Sequence, residues 1–181
     1  GAEYKGLIIS LFTITALISR PFSGKIADKV GRIPVMIIGT SFCVIISLLY
    51  PVISSVAGFL LLRLVHGFST GFTPTGLTAY LSDIIPAHKR GEAMGLLGTA
   101  GTVGMAGGLA FGPMVANNFG LNAMFYTSSV FAVLSIVVLF GIKETLTNGE
   151  GFSHRVFKIH KRDLLEPKVI VTCVVMLLTV Y

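Results

Sequence analysis

The chain has 181 residues, of which 53% are apolar and only 12% charged, with a net charge of +6 at neutral pH. Soluble domains carry roughly 25% charged residues, and this chain has too few polar groups to cover a soluble surface. Its basic residues sit between apolar runs, as membrane-flanking charge does, and this argues against a nucleic-acid-binding class.

The apolar runs predict five complete transmembrane helices and one partial one. In chain order they cover about 6–23, 33–50, 55–81, 92–116 and 121–142, with a sixth opening near Lys168. No Asp, Glu, Lys, Arg or His occurs from Ala93 to Ile142, nor from Ile33 to Leu62. A bilayer core takes about 20 apolar residues per helix, so the first of these stretches holds two spans. Lipid leaves no water for backbone groups, and only helices and closed barrels satisfy their own. The runs lack the alternation of a barrel strand. The expected class is therefore an all-α membrane protein.

The connections alternate in charge. Twelve of the fourteen Lys and Arg lie at connections one, three and five: Arg20, Lys25, Lys29 and Arg32; Lys89 and Arg90; and Lys143, Arg155, Lys158, Lys161, Arg162 and Lys168. Connections two and four carry none. The positive-inside rule places segments 20–32, 82–92 and 143–168 in the cytoplasm of a multi-pass cell-membrane protein. The polar stretch 143–167 reads as a cytoplasmic linker, either solvated or carrying a helix on the membrane surface. Cys43 and Cys173 both fall in apolar segments and read as small core residues. The chain opens on Gly1 and ends inside an apolar segment, so the expectation is a piece of a longer protein.

Several groups of residues carry chemistry. The string from Gly24 to Arg32 sits at the first cytoplasmic connection. There Gly24 would let two helices approach and Gly31 would permit a tight turn. Asp28 could accept from a helix N-terminus or pair with a base, and Arg32 could supply that charge. Arg63 lies about 12 Å into its span at 1.5 Å per residue. A charge at such depth costs about 2.5–3.5 kcal/mol on insertion scales, so it faces a bundle interior or a cavity unless it snorkels to the interface. His66 shares its helix face. The fourth span carries Gly91, Gly95, Gly98, Gly101, Gly104, Gly108 and Gly112 at spacings of three and four. They form one side-chain-free side that a neighbouring helix could approach, as static packing or as a moving seam. Gly112-Pro113 then permits a kink.

Two patterns are decoys. Gly67-Phe68-Ser69-Thr70-Gly71 matches the hydrolase elbow G-x-S-x-G, which needs a strand-to-helix turn and here lies inside an apolar helix. The glycines from Gly98 to Gly108 mimic dinucleotide-binding spacing with no strand before them. No metal-ligand cluster and no cofactor motif is expected, and no enzyme activity.

The string at 24–32 resembles the loop signature G-x-L-A-D-R-x-G-R-K of the major facilitator superfamily. Ile26 stands for the usual Leu, Lys29 for Arg and Ile33 for the last base. Arg63-Leu64-Val65-His66-Gly67 resembles that family's R-x-x-Q-G on helix 4, with His66 in place of Gln. Asp83, Pro86, Arg90, Gly91, Ala93 and Gly95 resemble its helix 4 to helix 5 loop. Residues 108–113 resemble the G-x-x-x-G-P antiporter motif, with Ala116 and Asn117 where two glycines are usual. Lys143-Glu144-Thr145 resembles the end of helix 6.

The resemblance implies a partial helix bundle of this type. Residues 1–142 would be the N-terminal six-helix half lacking helix 1, 143–167 the central linker, and 168–181 the start of helix 7. It also implies roles. Asp28, Arg32, Asp83 and Arg90, with Gly24 and Gly31, would form a cytoplasmic gate. Arg63 and His66 would serve coupling or substrate binding. Gly104, Gly108, Gly112 and Pro113 would form the antiporter-like helix. The implied function is secondary transport of a small molecule by alternating access, with proton-coupled export of organic compounds leading. A metabolite symporter or uniporter, or a non-transporting receptor or scaffold of the same fold, is the alternative. The partners would be the lipid bilayer, the small molecule and protons, with no nucleic acid.

Overall fold

The computed structural model describes residues 3–147 and 149, with side chains from residue 6 onward. Five helices follow one another: α1 (Glu3–Lys29), α2 (Arg32–Leu49), α3 (Val56–Ile84), α4 (Arg90–Phe119) and α5 (Leu121–Phe140). Each is long and apolar enough to cross a membrane. Among the described residues there is no strand. The expected sixth span, and the linker beyond 149, lie outside the described residues.

The breaks between helices are short and have local causes. Gly31 has φ +145°, a left-handed conformation that a Cβ would oppose, and it separates α1 from α2. A single 3₁₀ turn, Tyr50–Val52, follows α2. Ser55 then caps α3, its hydroxyl accepting from the Gly58 N–H at 3.1 Å. Gly120, with φ +89°, is the only residue between α4 and α5.

Burial is inverted relative to a soluble protein. Large apolar side chains such as Ile9, Leu17, Leu96, Leu109 and Phe140 point outward, where lipid replaces water. The interior instead buries small polar residues, among them Ser19, Ser23, Ser47 and Ser69. The hydroxyls of Ser19 and Ser23 return to backbone carbonyls, Ser19 Oγ donating to Ala16 O at 3.0 Å and Ser23 Oγ to Gly71 O at 2.9 Å. Helix α3 lies between α1 and α2, and α2 also packs on α5. One apolar cluster joins Ile26, Ala27, Val35 and Phe72 near the Gly31 turn. A second joins Ile46, Tyr50 and Leu62, with Phe59 and Phe125 beside it.

The close helix contacts fall on α3, away from the glycine-rich fourth span. A Cβ on Gly67 would lie 2.6 Å from Phe12 O and 3.0 Å from Ala16 N, both backbone atoms of α1. One on Gly71 would overlap Ser19 Oγ, and one on Gly76 would meet Met36 of α2 at 2.7 Å. On α4, by contrast, a Cβ at Gly91, Gly95, Gly98, Gly101, Gly104 or Gly108 meets nothing within 4 Å among the described residues. Only Gly112 has a neighbour, Met124 at 3.7 Å. The expected close approach along α4 is therefore not formed by any described helix, because α4 leans mainly on α5 and buries none of its residues. Helix α4 also runs through Pro113 without a break.

One boundary and one expected close approach are corrected as well. The first helix extends six residues beyond the predicted end, so Gly24 to Lys29 are its last turns and the turn itself is Val30-Gly31. Gly24 makes no unusually close approach, since a Cβ there would first meet Thr75 Cγ2 at 4.0 Å, an ordinary contact.

Gly67→Ala pushes a methyl into fixed backbone and is expected to destabilise the bundle by about 1–3 kcal/mol, in the range of overpacked cores. Thermal unfolding of the detergent-solubilised protein checks this, and an unchanged midpoint contradicts the α1–α3 seam.

Candidate functional site

Two clusters stand at different depths. The first gathers at the end of the bundle marked by the Gly31 turn, where α1, α2, α3 and the chain after α5 converge. Arg32 opens α2. Its Nε donates to Asp83 Oδ2 at 2.8 Å, and one terminal nitrogen donates to Ala27 O at 2.6 Å. The side chain of Arg32 is only 13% exposed and that of Asp83 33%, so this pair is partly withdrawn from solvent. Asp28 also reaches Arg32, at 3.5 Å, but is 72% exposed. An exposed pair of that kind is worth about 0–1 kcal/mol, so Asp83 is the stronger partner. Arg90 is tied in differently: its Nη2 donates to the backbone carbonyl of Ser82 at 3.2 Å, an end of helix α3 that otherwise lacks intrahelical donors.

Glu144 lies against the same turn. Its Oε2 accepts from the Ile33 N–H at 2.9 Å, and its Oε1 from the Arg32 N–H at 3.1 Å. Thr145 N–H and Leu146 N–H also donate to Oε1, at 2.9 and 3.1 Å. Thr145 Oγ1 donates to Asp83 Oδ2 at 2.7 Å. Partial desolvation pushes the Glu144 carboxyl up, but these backbone donors outweigh it and hold it below its ordinary 4.5.

The second cluster lies within the membrane span. The Arg63 guanidinium carbon sits 5.5 Å from the Tyr50 ring centre and 5.3 Å from that of Phe59, within cation–π range of two rings that also contact each other at 5.2 Å. Arg63 Nε is buried and has no hydrogen-bond partner among the described residues. His66 follows one turn later. Its Nδ1 is 3.2 Å from the Tyr50 hydroxyl and its Nε2 4.0 Å from Cys43 Sγ, with Phe12 edge-on to the ring. Both Arg63 and His66 border a cavity of about 340 Å³ that also meets Ser47 of α2, Phe111 of α4 and Thr127 of α5.

A family model described as Major Facilitator Superfamily matches residues 2–181. The chain belongs to the major facilitator superfamily. It is similar to multidrug resistance protein MdtG of Salmonella typhi, 32% identical over 142 residues, or 78% of this chain and 35% of that protein. It is similar also to multidrug resistance protein 2 of Bacillus subtilis, 31% identical over 143 residues, or 78% of this chain and 36% of that protein. The chain thus spans about a third of the length of the curated relatives it matches. As a member of this transporter superfamily, it is a non-enzymatic, multi-pass protein of the cell membrane.

Among the residues singled out in this superfamily member, Asp28, Arg32 and Asp83 meet directly. Gly31 makes the turn that lets them do so, and Arg90 joins through backbone. Arg63 and His66 share one cavity wall. Gly108 and Gly112 line the same cavity from α4, while Gly104 and Pro113 do not border it. Sequence reasoning overlooked the hydrogen-bonding part played by Glu144 and Thr145. A signal was present, since Glu144 is one of only eight acidic residues and stands two positions after a charge-free span. It overlooked Tyr50, whose proximity to Arg63 is tertiary, and Phe59, although its i, i+4 spacing on α3 places it beside Arg63.

A carboxyl whose folded pKa is depressed stabilises fully above its unfolded value of 4.5 and loses that stabilisation as pH falls toward the folded value. The melting difference between wild type and Glu144→Gln is thus expected to stay constant from about pH 8 to pH 6 and to shrink below about pH 4.5. Melting curves across that range check this, and a difference that vanishes near neutrality contradicts it.

Proposed function

We propose that the full-length protein is a secondary transporter that exports small organic molecules by alternating access, coupled to protons. In this reading residues 1–142 form the N-terminal half without its first helix. Residues 143–167 link it to the second half, and 168–181 begin that half's first helix. The substrate would bind near the bilayer midplane between the halves, and rocking of the halves would expose it to each side in turn. The relatives' printed names, multidrug resistance proteins, support export of organic compounds.

The observation that carries the coupling is Arg63. A permanently charged guanidinium stands inside a span, held by two aromatic rings, with a buried nitrogen lacking a partner among the described residues. Keeping such a charge in a membrane is expensive and marks an ion or substrate pathway. A carboxylate that releases or takes a proton would change its attraction to Arg63, and that difference is what coupling requires. His66, one turn away on the cavity wall, completes the polar side of the site. At the cytoplasmic end, Asp28, Arg32, Asp83 and Arg90 would hold the gate closed in the outward-facing state.

Proteoliposomes carrying the full-length protein test this with a fluorescent organic substrate and an imposed pH gradient. Flux is expected to follow the gradient and to stop when a protonophore collapses it. Arg63→Gln is expected to reduce gradient-driven flux by about 10- to 100-fold, the range for losing a hydrogen bond to a charged group. Flux that persists without a gradient identifies a uniporter, and absence of flux for every compound tried points to a receptor.

A further inference from the structure

Tyr50 belongs to none of the sequence motifs, yet it stands at the centre of the Arg63 site. Its backbone closes α2, the N–H still donating to Ile46 O. Pro51, which has no N–H to extend the helix, follows it into the 3₁₀ turn. The side chain is 5% exposed, in the apolar cluster with Ile46 and Leu62. Phe125 of α5 stacks on the ring, with centres 4.8 Å apart and planes 26° apart. The same ring lies 5.5 Å from the Arg63 guanidinium carbon, and its hydroxyl is 3.2 Å from His66 Nδ1. Among the described residues, no other side chain outside α3 meets both Arg63 and His66 by a ring contact or a hydrogen bond.

We infer that Tyr50 is a positioning residue for the Arg63 site: its ring fixes where the guanidinium stands, and its hydroxyl fixes how the His66 imidazole is turned. The inference rests on the coupling reading above. Arg63 is a long, flexible side chain, and its Nε has no hydrogen-bond partner among the described residues, so the aromatic rings are what hold its charge. Phe59 sits on α3 itself, one turn before Arg63, and moves with it. Tyr50 comes from the end of α2 and is braced by α5, so it ties the charge on α3 to two other helices. For His66, the second contact outside α3 is Cys43 Sγ at 4.0 Å. A thiol is a weak hydrogen-bonding group, which leaves the Tyr50 hydroxyl as the stronger hold on the imidazole. Attraction between Arg63 and a titrating carboxylate varies inversely with their separation. The residue that sets the position of the guanidinium therefore sets the strength of the coupling.

The test uses the full-length protein in nanodiscs, with isotope-labelled histidine and arginine observed by NMR. The ring nitrogens of His66 and the Nε–H of Arg63 are assigned by their loss in His66→Gln and Arg63→Gln. Tyr50→Phe, which keeps the ring, is expected to shift the His66 signals and leave that of Arg63 in place. Tyr50→Leu is expected to shift both. In proteoliposomes, Tyr50→Leu is expected to lower gradient-driven flux by about 2- to 30-fold, the cation–π range, and Tyr50→Phe by less. In the Arg63→Gln background, Tyr50→Leu is expected to cost nothing further, whereas a merely structural role repeats its loss there. Unshifted signals in both variants, or a repeated loss in that background, overturn the inference. If Tyr50→Leu fails to fold, judged by gel filtration, the His66 signals of Tyr50→Phe decide alone. If Arg63→Gln leaves flux unchanged, the coupling reading fails, and the NMR signals still decide whether Tyr50 positions the two side chains.

Discussion

One guanidinium organises the cytoplasmic end of this bundle. Arg32 sits on the first residue of α2, yet it bonds to the last turn of α3 through Asp83 and to the last turn of α1 through Ala27 O. Its position is possible only because Gly31 turns the chain in a conformation closed to other residues. The planar fork of Arg suits this task, since one side chain can donate in several fixed directions at once. Lys would offer a point charge and lose the backbone contact.

Everything deeper in the bundle follows the lipid rather than water. Apolar surface gives little reason for helices to associate when the solvent is itself apolar, so packing depends on close backbone approach and on polar contacts. Helix α3 supplies the first through Gly67, Gly71 and Gly76, and the buried serines of α1 supply the second. The same physics makes Arg63 conspicuous. It is tolerated because aromatic rings from the turn after α2 and from α3 lie near its charge and a cavity lies beside it.

Much of this was readable before any coordinates. Apolar runs of membrane length give five spans, and all five are helices, their ends within three residues of those expected except the end of the first, which runs six residues further. The resemblance of residues 24–32, 63–67 and 83–95 to superfamily motifs pointed to Asp28, Arg32, Arg63 and Asp83. The misreadings share a physical cause. The seven-glycine side of α4 reads as one that a neighbouring helix could approach, and no described helix comes close to it except at Gly112, since a glycine stripe says only that approach is allowed. The real seam on α3 contains Gly67 and Gly71, a pair set aside as a false hydrolase elbow. Spacing fixes which residues share a face and leaves open which helix comes to that face. The bonding of Glu144 to the start of α2 is illegible for a related reason, as those partners are backbone N–H groups more than a hundred positions away, and backbone donors have no sequence signature.

The central claim is that Arg32 and Asp83 form a working tie between helices rather than an incidental surface pair. A double-mutant cycle measures it most directly, with Arg32→Gln, Asp83→Asn and the combined variant unfolded in detergent. The account predicts a coupling of about 1–2 kcal/mol, above the usual range for exposed pairs. A coupling below about 0.3 kcal/mol, with the single variants simply additive, would contradict it.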